Sequence, residues 1–113
     1  EQCVPIELEM DEMDAQCLHV VIFDDLKAVA TARLLPDASI GRMAVLAEYR
    51  GQGLGAMLLQ SLMDKAQQLG HTVLRLSAQL HAIGFYERFG FVVYGESYLD
   101  AGIVHRAMRY SSI

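Results

Sequence analysis

Three closely spaced glycines form the part of this sequence that is best suited to bind an anionic group. They lie in the run Arg50-Gly51-Gln52-Gly53-Leu54-Gly55. Glycine lets the backbone turn tightly and approach a ligand without obstruction by a side chain. When a helix begins at such a turn, its first N–H groups and the positive end of its dipole face the ligand. The run therefore predicts a phosphate-binding site, and a tight turn without any ligand is the alternative interpretation.

The elements that would position this turn are predicted on either side of it. Ile40–Leu46 is an apolar run that we interpret as a strand. Leu54–Leu69 repeats apolar residues at helical spacing, and Gly70 is a suitable C-terminal cap for that helix. The predicted order of strand, glycine turn and helix brings free N–H groups to one end of the sheet.

The other apolar runs predict a mixed sheet within an α/β (α+β) fold. Acidic Glu7–Asp14 is interpreted as an irregular, exposed segment. The order is then β-β-β-α-β-α-β-β, in which the central strand–helix–strand unit requires a parallel, right-handed crossover and the flanking strands are antiparallel. Helices are expected on the faces of this mostly antiparallel sheet. The further predicted strands are Leu18–Phe23, Ala28–Leu35, Thr72–Ser77, Phe91–Tyr94 and Ile103–Tyr110, and a short helix is predicted at His81–Phe89.

Composition limits the class of protein. The 113 residues suffice for one domain, 53% of them are apolar, and no run approaches the roughly 18 apolar residues of a membrane span. The net charge of −5 and the lack of a basic block argue against a nucleic-acid partner. Cys3 and Cys17 lack C-x-x-C spacing, so we interpret them as intracellular thiols and expect a cytoplasmic protein. No membrane partner and no metal site are predicted.

Two motifs resemble the GNAT superfamily of acetyl-CoA-dependent N-acyltransferases. In the run Met43–Gly55, Arg50, Gly53 and Gly55 match the family pattern of Gln or Arg, two residues, Gly, one residue, then Gly or Ala. In Ala82–Phe91, a tyrosine precedes a Gly-Phe turn, as in the second motif of the family. With the element order, the resemblance extends from about Leu18 to Tyr110. The runs Val4–Asp11, Ala78–Ala82 and Gly102–His105 are similar to a subgroup of small bacterial acetyltransferases with unassigned acceptors.

The resemblance implies acetyl-CoA as the donor and a primary amine as the acceptor, which reacts by direct attack in a ternary complex. The pyrophosphate would lie on the N–H groups from Gly51 to Ala56. Backbone amides at Met43–Val45 would bind the pantetheine arm and polarise the thioester, although apolar strand residues can equally be core. Gln79 stands where many relatives have a cofactor-binding asparagine. The implied cofactor-binding residues are Met43, Ala44, Val45, Arg50, Gly51, Gln52, Gly53, Leu54, Gly55, Ala56, Gln79 and Tyr86.

Tyr86 matches the general acid of the family. A phenol with an unperturbed pKa of about 10 is close to a thiol in acidity and can protonate the departing CoA thiolate. Packing on an apolar helix face is compatible with that role. The general base is left open among His105, Glu96, His81, His19 and a chain of water molecules. His105 is preferred because the closing hairpin borders the acceptor pocket in this family.

The sequence departs from the family before its first predicted strand. Relatives usually begin with another strand and one or two helices, whereas only Glu1–Gln16 stands in that place here. We therefore expect one GNAT domain over residues 1–113 that lacks these elements, and a homodimer that covers the exposed sheet.

Two other classes of function are weighed against the acetyltransferase. A non-catalytic acyl-CoA-binding regulatory module is the alternative, because no base is evident. A P-loop nucleotide-binding protein is disfavoured because the loop lacks the Gly-Lys-Ser/Thr ending, and a dinucleotide-binding fold is disfavoured because no second βαβ half follows.

Overall fold

Seven strands and two helices make up the fold in the computed structural model, which describes residues 6–14 and 17–113. The order is β-β-β-β-α-β-α-β-β. Cys3, Val4 and Pro5, on which part of the sequence interpretation rests, lie outside the described residues. The strands are β1 (Ile6–Asp14), β2 (Cys17–Asp24), β3 (Lys27–Leu34), β4 (Ile40–Val45), β5 (Val73–Gln79), β6 (Val92–Asp100) and β7 (Ile103–Ser111), and the helices are α1 (Leu54–Gln68) and α2 (Ile83–Glu87).

The prediction that Glu7–Asp14 is irregular was wrong. Ile6–Asp14 is a strand that pairs antiparallel with β2, with Ile6 opposite Asp24 and Asp11 opposite His19. The sequence of β1, IELEMDEMD, alternates apolar and acidic residues in its first half, which is a strand pattern that its high charge obscured. Pairing with a neighbouring strand outweighs the low strand propensity of acidic residues.

The strands form two sheets rather than one continuous mixed sheet. The first has the order β1-β2-β3-β4 and the second has the order β5-β7-β6. They are joined where Ser39 and Arg75 form a single parallel bridge, in which the Arg75 N–H donates to the Ala38 carbonyl at 3.1 Å. Beyond this bridge β4 and β5 are not paired, so the open ends of these two parallel strands leave a gap between the sheets.

The second sheet is longer than predicted on one side. β6 continues past Tyr94 to Asp100. Its register against β7 shifts between Tyr94 and Tyr98, so that three residues of β6 lie opposite Arg106 alone. Such a bulge lets a strand continue through residues that do not pair regularly. Gly95, inside the bulge, has a φ of 72°, which favours glycine.

The core lies mainly between α1 and the first sheet and continues into the second sheet. Leu58, Leu59 and Leu62 on α1 are completely buried, and α1 packs on β2, β3 and β4. Phe91 and Met108 extend the core into the second sheet. The buried face of α1 thus fixes the helix, and with it the glycine turn at its N-terminus, against the sheet.

The short helix predicted at His81–Phe89 is divided in two. A 3-10 turn covers Leu80–Ala82, and α2 follows it directly at Ile83–Glu87. Gly90, with a φ of 96°, ends this segment and leads into the buried Phe91. Because β5 ends at Gln79, the turn and α2 lie at the open end of the gap between the sheets.

Candidate functional site

The N-terminus of α1 is bare. Gly53 is its N-cap in the left-handed conformation, with a φ of 81°, and Gly51 has a φ of 82°. No side chain among the described residues caps the helix, and its first turn has no acidic residue. The first helical hydrogen bond runs from the Met57 N–H to the Gly53 carbonyl at 3.1 Å, so the N–H groups of Leu54, Gly55 and Ala56 have no partner within the helix. These groups can bind an anion.

A cavity of about 430 Å³ lies at this helix end. Two guanidinium side chains, from Arg50 and Arg88, contribute to its lining, and no carboxylate does so among the described residues. The Arg50 Nε also donates to the Val45 carbonyl at 3.2 Å, which ties the start of the glycine turn to the end of β4. The described lining consists of Val45, Tyr49, Arg50, Gly51, Gly53, Leu54, Gly55, Ala56, Phe85 and Arg88. Gln52 is exposed and is not part of it.

Tyr49, the residue before the glycine turn, contacts the hairpin formed by β2 and β3. The Tyr49 hydroxyl donates to Asp24 Oδ2 at 2.5 Å, and this hydrogen bond is the main cause of a raised pKa at Tyr49. Lys27 lies 5.7 Å from the centre of the Tyr49 ring and forms an ion pair with Glu48 at 3.2 Å. The β2–β3 turn therefore supports the approach to the glycine turn.

β4 offers a free backbone edge to the gap between the sheets. The Leu46 N–H donates to the Val29 carbonyl of β3 at 2.9 Å. Since successive peptide groups point to opposite sides of a strand, the N–H and carbonyl of Val45 point away from β3. Positions 42 and 43 together oppose Ala32, which makes a bulge just before Ala44. An extended ligand could pair with this edge as an added strand.

The gap itself is a cleft of about 790 Å³. It shares Arg50 and Gly55 with the cavity at the helix end, and its opposite wall comes from Gln79 and Tyr86. The groove is therefore continuous from the bare helix end to α2. The described lining of the cleft is Met43, Ala44, Val45, Arg50, Gly55, Gln79, His81, Phe85 and Tyr86.

Tyr86 projects from α2 toward β4. Its hydroxyl lies 3.8 Å from Met43 Sδ, a weak hydrogen-bond contact across the gap. Phe85 and Phe91 hold its ring, with centroid distances of 5.1 and 6.1 Å in edge-to-face arrangements. Burial raises the pKa of Tyr86 above the usual value of 10.0, so the phenol is protonated at neutral pH. The side chain can donate a proton inside the groove.

His105 lies at the far end of the groove with Tyr86. Both line a cavity of about 310 Å³, together with Met43, Gln79 and His81. The His105 Nδ1 is 2.8 Å from the Ile103 carbonyl, and because a carbonyl only accepts, Nδ1 carries the proton. In the neutral ring Nε2 is then the nitrogen that can accept a proton.

The other proposed bases lie in different places. His81 is exposed but lines the same cavity as Tyr86. His19 is opposite Arg33 in the first sheet, and Glu96 is in the bulge of β6. Neither of the last two is among the described residues that line the groove. The structure thus brings two of the four side chains to the predicted site.

Sequence interpretation missed several residues of the groove. Arg88 contributes to the cavity at the helix end, Ser77 to the cavity at the far end, and the Tyr98 ring stacks on His105. Arg88 lies within the second motif, two residues after Tyr86, so its position could have suggested a contact. Tyr98 and Ser77 carry no local signal, because their place depends on strand register.

Two classes of feature are absent from the described parts of the chain. Within residues 6–14 and 17–113, no group of three or more His, Cys, Asp or Glu side chains is arranged to hold a metal ion. None of the helices described is long and apolar enough to cross a membrane.

Comparisons of this chain with known proteins agree on one family. The model of the acetyltransferase (GNAT) domain matches residues 1–112. The chain is 36% identical over 112 residues to the uncharacterized N-acetyltransferase YjcF of Bacillus subtilis, and the match covers 96% of this chain and 80% of the relative.

Solved structures agree with that assignment. An acyl-CoA N-acyltransferase from Pseudomonas aeruginosa superposes with a TM-score of 0.78 at 35% identity, over 84% of this chain and 68% of its own. A GNAT family acetyltransferase from Elizabethkingia anophelis with acetyl-CoA bound shares the fold with a TM-score of 0.73 at 15% identity, over 94% of this chain and 97% of its own. The chain therefore belongs to the GNAT family of N-acetyltransferases.

Proposed function

We propose that this protein transfers the acetyl group of acetyl-CoA to a primary amine by direct attack in a ternary complex. The observation that carries the proposal is the continuous groove from the bare N-terminus of α1 to Tyr86 and His105. A phosphate-binding end, a free strand edge and a proton donor occur along it in the order that an extended acyl-CoA would need.

The chemistry of the helix end fits the pyrophosphate of CoA. The N–H groups of Leu54, Gly55 and Ala56 are free to donate, and Arg50 and Arg88 supply positive charge. The glycines leave the backbone open to close approach, since a Cβ built at Gly51 or Gly53 meets no atom within 4 Å. Gln52 would contribute through its backbone, because its side chain lies outside the described lining.

The edge of β4 fits the pantetheine arm. The amide groups of the arm would pair with the backbone at Met43–Val45, where the Val45 N–H faces the cleft and the Val45 carbonyl already accepts from Arg50 Nε. An N–H on this edge would also donate to the thioester carbonyl as charge develops on its oxygen. Gln79, across the cleft, has an amide that can bind the same arm.

When bound, acetyl-CoA supplies the acetyl thioester. Tyr86 would donate its phenolic proton to the sulfur that leaves, and its raised pKa keeps that proton available at neutral pH. His105 would accept the proton of the attacking amine at Nε2, since Nδ1 is bonded to the Ile103 carbonyl. Both side chains line the cavity at the far end of the groove, which we assign to the acceptor.

The decisive measurement is release of CoA thiol with a panel of amines, for the native protein and Tyr86→Phe. Loss of the phenolic proton donor is expected to lower kcat by about 10²-fold or more, while acetyl-CoA binding measured by calorimetry is unchanged. Tyr94→Phe, an exposed tyrosine on β6 outside the groove, is the matched control and should retain native kcat. CoA binding without turnover on any amine would favour the non-catalytic regulatory module instead, and absence of CoA binding would reject both.

We also propose that residues 1–113 act as one GNAT domain, in the cytoplasm, as a homodimer. The apolar side chains of Leu99, Ile103 and Val104 are exposed on the β6–β7 hairpin, which supports association of two copies. β6 is an edge strand of its sheet, so its outer backbone groups are also open to pairing.

A further inference from the structure

A stacked pair of aromatic rings lies at the acceptor end of the groove. Tyr98 on β6 is directly opposite His105 on β7 in the strand register. Their ring centroids are 6.1 Å apart with an interplanar angle of 25°. Stacking of this kind restricts the rotation of the imidazole about its side-chain bonds.

Tyr98 is in turn anchored by β5, the strand at the other edge of the same sheet. Its hydroxyl forms a hydrogen bond with the Ser77 hydroxyl on β5, although β7 lies between β5 and β6. Ser77 is opposite Ala107, which is two residues from His105 and therefore on the same face of β7. A small side chain at Ala107 leaves room for the tyrosine to reach across.

The two contacts of His105 act on different degrees of freedom. The Ile103 carbonyl accepts from Nδ1 and so selects the tautomer with a free Nε2. The Tyr98 ring fixes the plane in which the imidazole lies. Tyr98 is 41% exposed, so without its bond to Ser77 this ring would have other orientations open to it.

We propose that Tyr98 is a positioning residue: anchored by Ser77, it holds the His105 imidazole in one orientation, with Nε2 left for the amine acceptor. The proposal rests on the base role of His105 given above. Ser77 also lines the acceptor cavity, so the chain that orients the base forms part of the wall that an acceptor contacts.

The test compares kcat for Tyr98→Leu, Tyr98→Phe and Ser77→Ala. Loss of the ring is expected to lower kcat about tenfold through misorientation of the base, and loss of either hydroxyl about threefold, with the KM for acetyl-CoA unchanged in all three. Tyr94→Leu is the matched control on the same strand, because that exposed ring contacts Arg109 rather than His105, and kcat should stay within about twofold. An unchanged kcat in Tyr98→Leu would overturn the proposal.

A double-mutant cycle separates positioning from a general structural effect. If Tyr98 acts through His105, Tyr98→Leu has no further effect on kcat in the His105→Ala background. An equal loss of kcat in both backgrounds would overturn the proposal.

Nitrogen-15 and ring-proton NMR of His105 gives a readout that does not depend on turnover. The native protein should show protonated Nδ1 and ring protons shifted by the stacked tyrosine. In Tyr98→Leu the shift of the ring protons should be lost, whereas Nδ1, which donates to the Ile103 carbonyl, should stay protonated. Unchanged His105 resonances in Tyr98→Leu would overturn the positioning role alone. A native kcat for His105→Ala would instead reject the base role and the proposal that depends on it.

Discussion

Left-handed glycines mark both ends of α1, but only one end faces the groove. Gly53 at the N-terminus has a φ of 81° and Gly70 beyond the C-terminus has a φ of 91°, and a Cβ at either position meets no atom within 4 Å. The two positions impose the same backbone demand. They differ in that Gly53 lines the proposed phosphate site.

Replacing each glycine with alanine separates the effect on stability from the effect on phosphate binding. We expect Gly53→Ala and Gly70→Ala to lower the free energy of unfolding by similar amounts, about 1–2 kcal/mol, because both force an alanine into the left-handed region. Only Gly53→Ala should weaken CoA binding, by about tenfold or more, because the loop no longer presents its N–H groups to the pyrophosphate in the same geometry. Urea denaturation and calorimetry measure the two effects, and equal CoA affinity in both variants would contradict the phosphate site.

The burial of Tyr86 predicts a dependence of stability on pH. Because burial raises the pKa of the folded phenol above its unfolded value of about 10, the folded state holds this proton over a pH range where the unfolded state has released it. Stability contributed by the protonated phenol is complete below pH 10 and is lost as the pH rises through the folded pKa.

Denaturant midpoints at about pH 9 and about pH 11 measure this effect in the native protein and in Tyr86→Phe. The native protein should lose more stability between the two values, because phenylalanine has no proton to release. The raised pKa of Tyr49 affects both proteins alike, so it cancels in the comparison. An identical loss in both proteins would show that Tyr86 is not buried as described.

At the scale of elements, α1 connects the core to the glycine turn. Its apolar spacing predicted the helix correctly, with the observed end at Gln68 one residue before the prediction. Leu69, counted with the buried face in that prediction, is 52% exposed because it follows the last helical residue. Since Leu54 is both buried and at the helix start, packing of α1 also sets the position of the phosphate site.

Two neighbouring positions on α1 test this packing. Leu58 is completely buried, so Leu58→Ala should lower the free energy of unfolding by about 2–5 kcal/mol through the lost contacts and the cavity left behind. Met57 is the preceding residue and is 40% exposed, so Met57→Ala should change the free energy of unfolding far less, by about 0.5 kcal/mol. Equal effects in urea denaturation would mean that α1 is not oriented as described.

Strand prediction was less accurate than helix prediction, for a physical reason. β1 was missed although its first half alternates apolar and acidic residues, and β6 was predicted to end at Tyr94. The backbone hydrogen bonds of a strand are made to residues that can be far away in sequence. The partner strand therefore decides whether a charged or glycine-containing segment pairs. The backbone hydrogen bonds of a helix join residues four apart in sequence, so the limits of α1 could be predicted from the sequence.

At the scale of the whole molecule, the proposed homodimer makes a prediction about mass. Two copies of the 12.5 kDa chain should appear in light scattering, and Leu99→Lys should shift the population to single chains by placing charge on the exposed hairpin. Leu26→Lys is the matched control, since Leu26 is equally apolar and 98% exposed but lies on the β2–β3 turn. A native protein that elutes as a single chain, or equal effects of the two variants, would contradict association through this hairpin.

The amino-acid sequence by itself determined the glycine turn, the helix that follows it and the position of Tyr86 in the second motif. These features depend on neighbours within a few residues, through the backbone freedom of glycine and the period of the helix. Only the tertiary structure decided that the sheets separate beyond Ser39, that His105 meets Tyr86 in one cavity, and that Tyr98 stacks on His105. Those contacts join residues from distant strands, and strand register, which no local pattern specifies, sets which of them face each other.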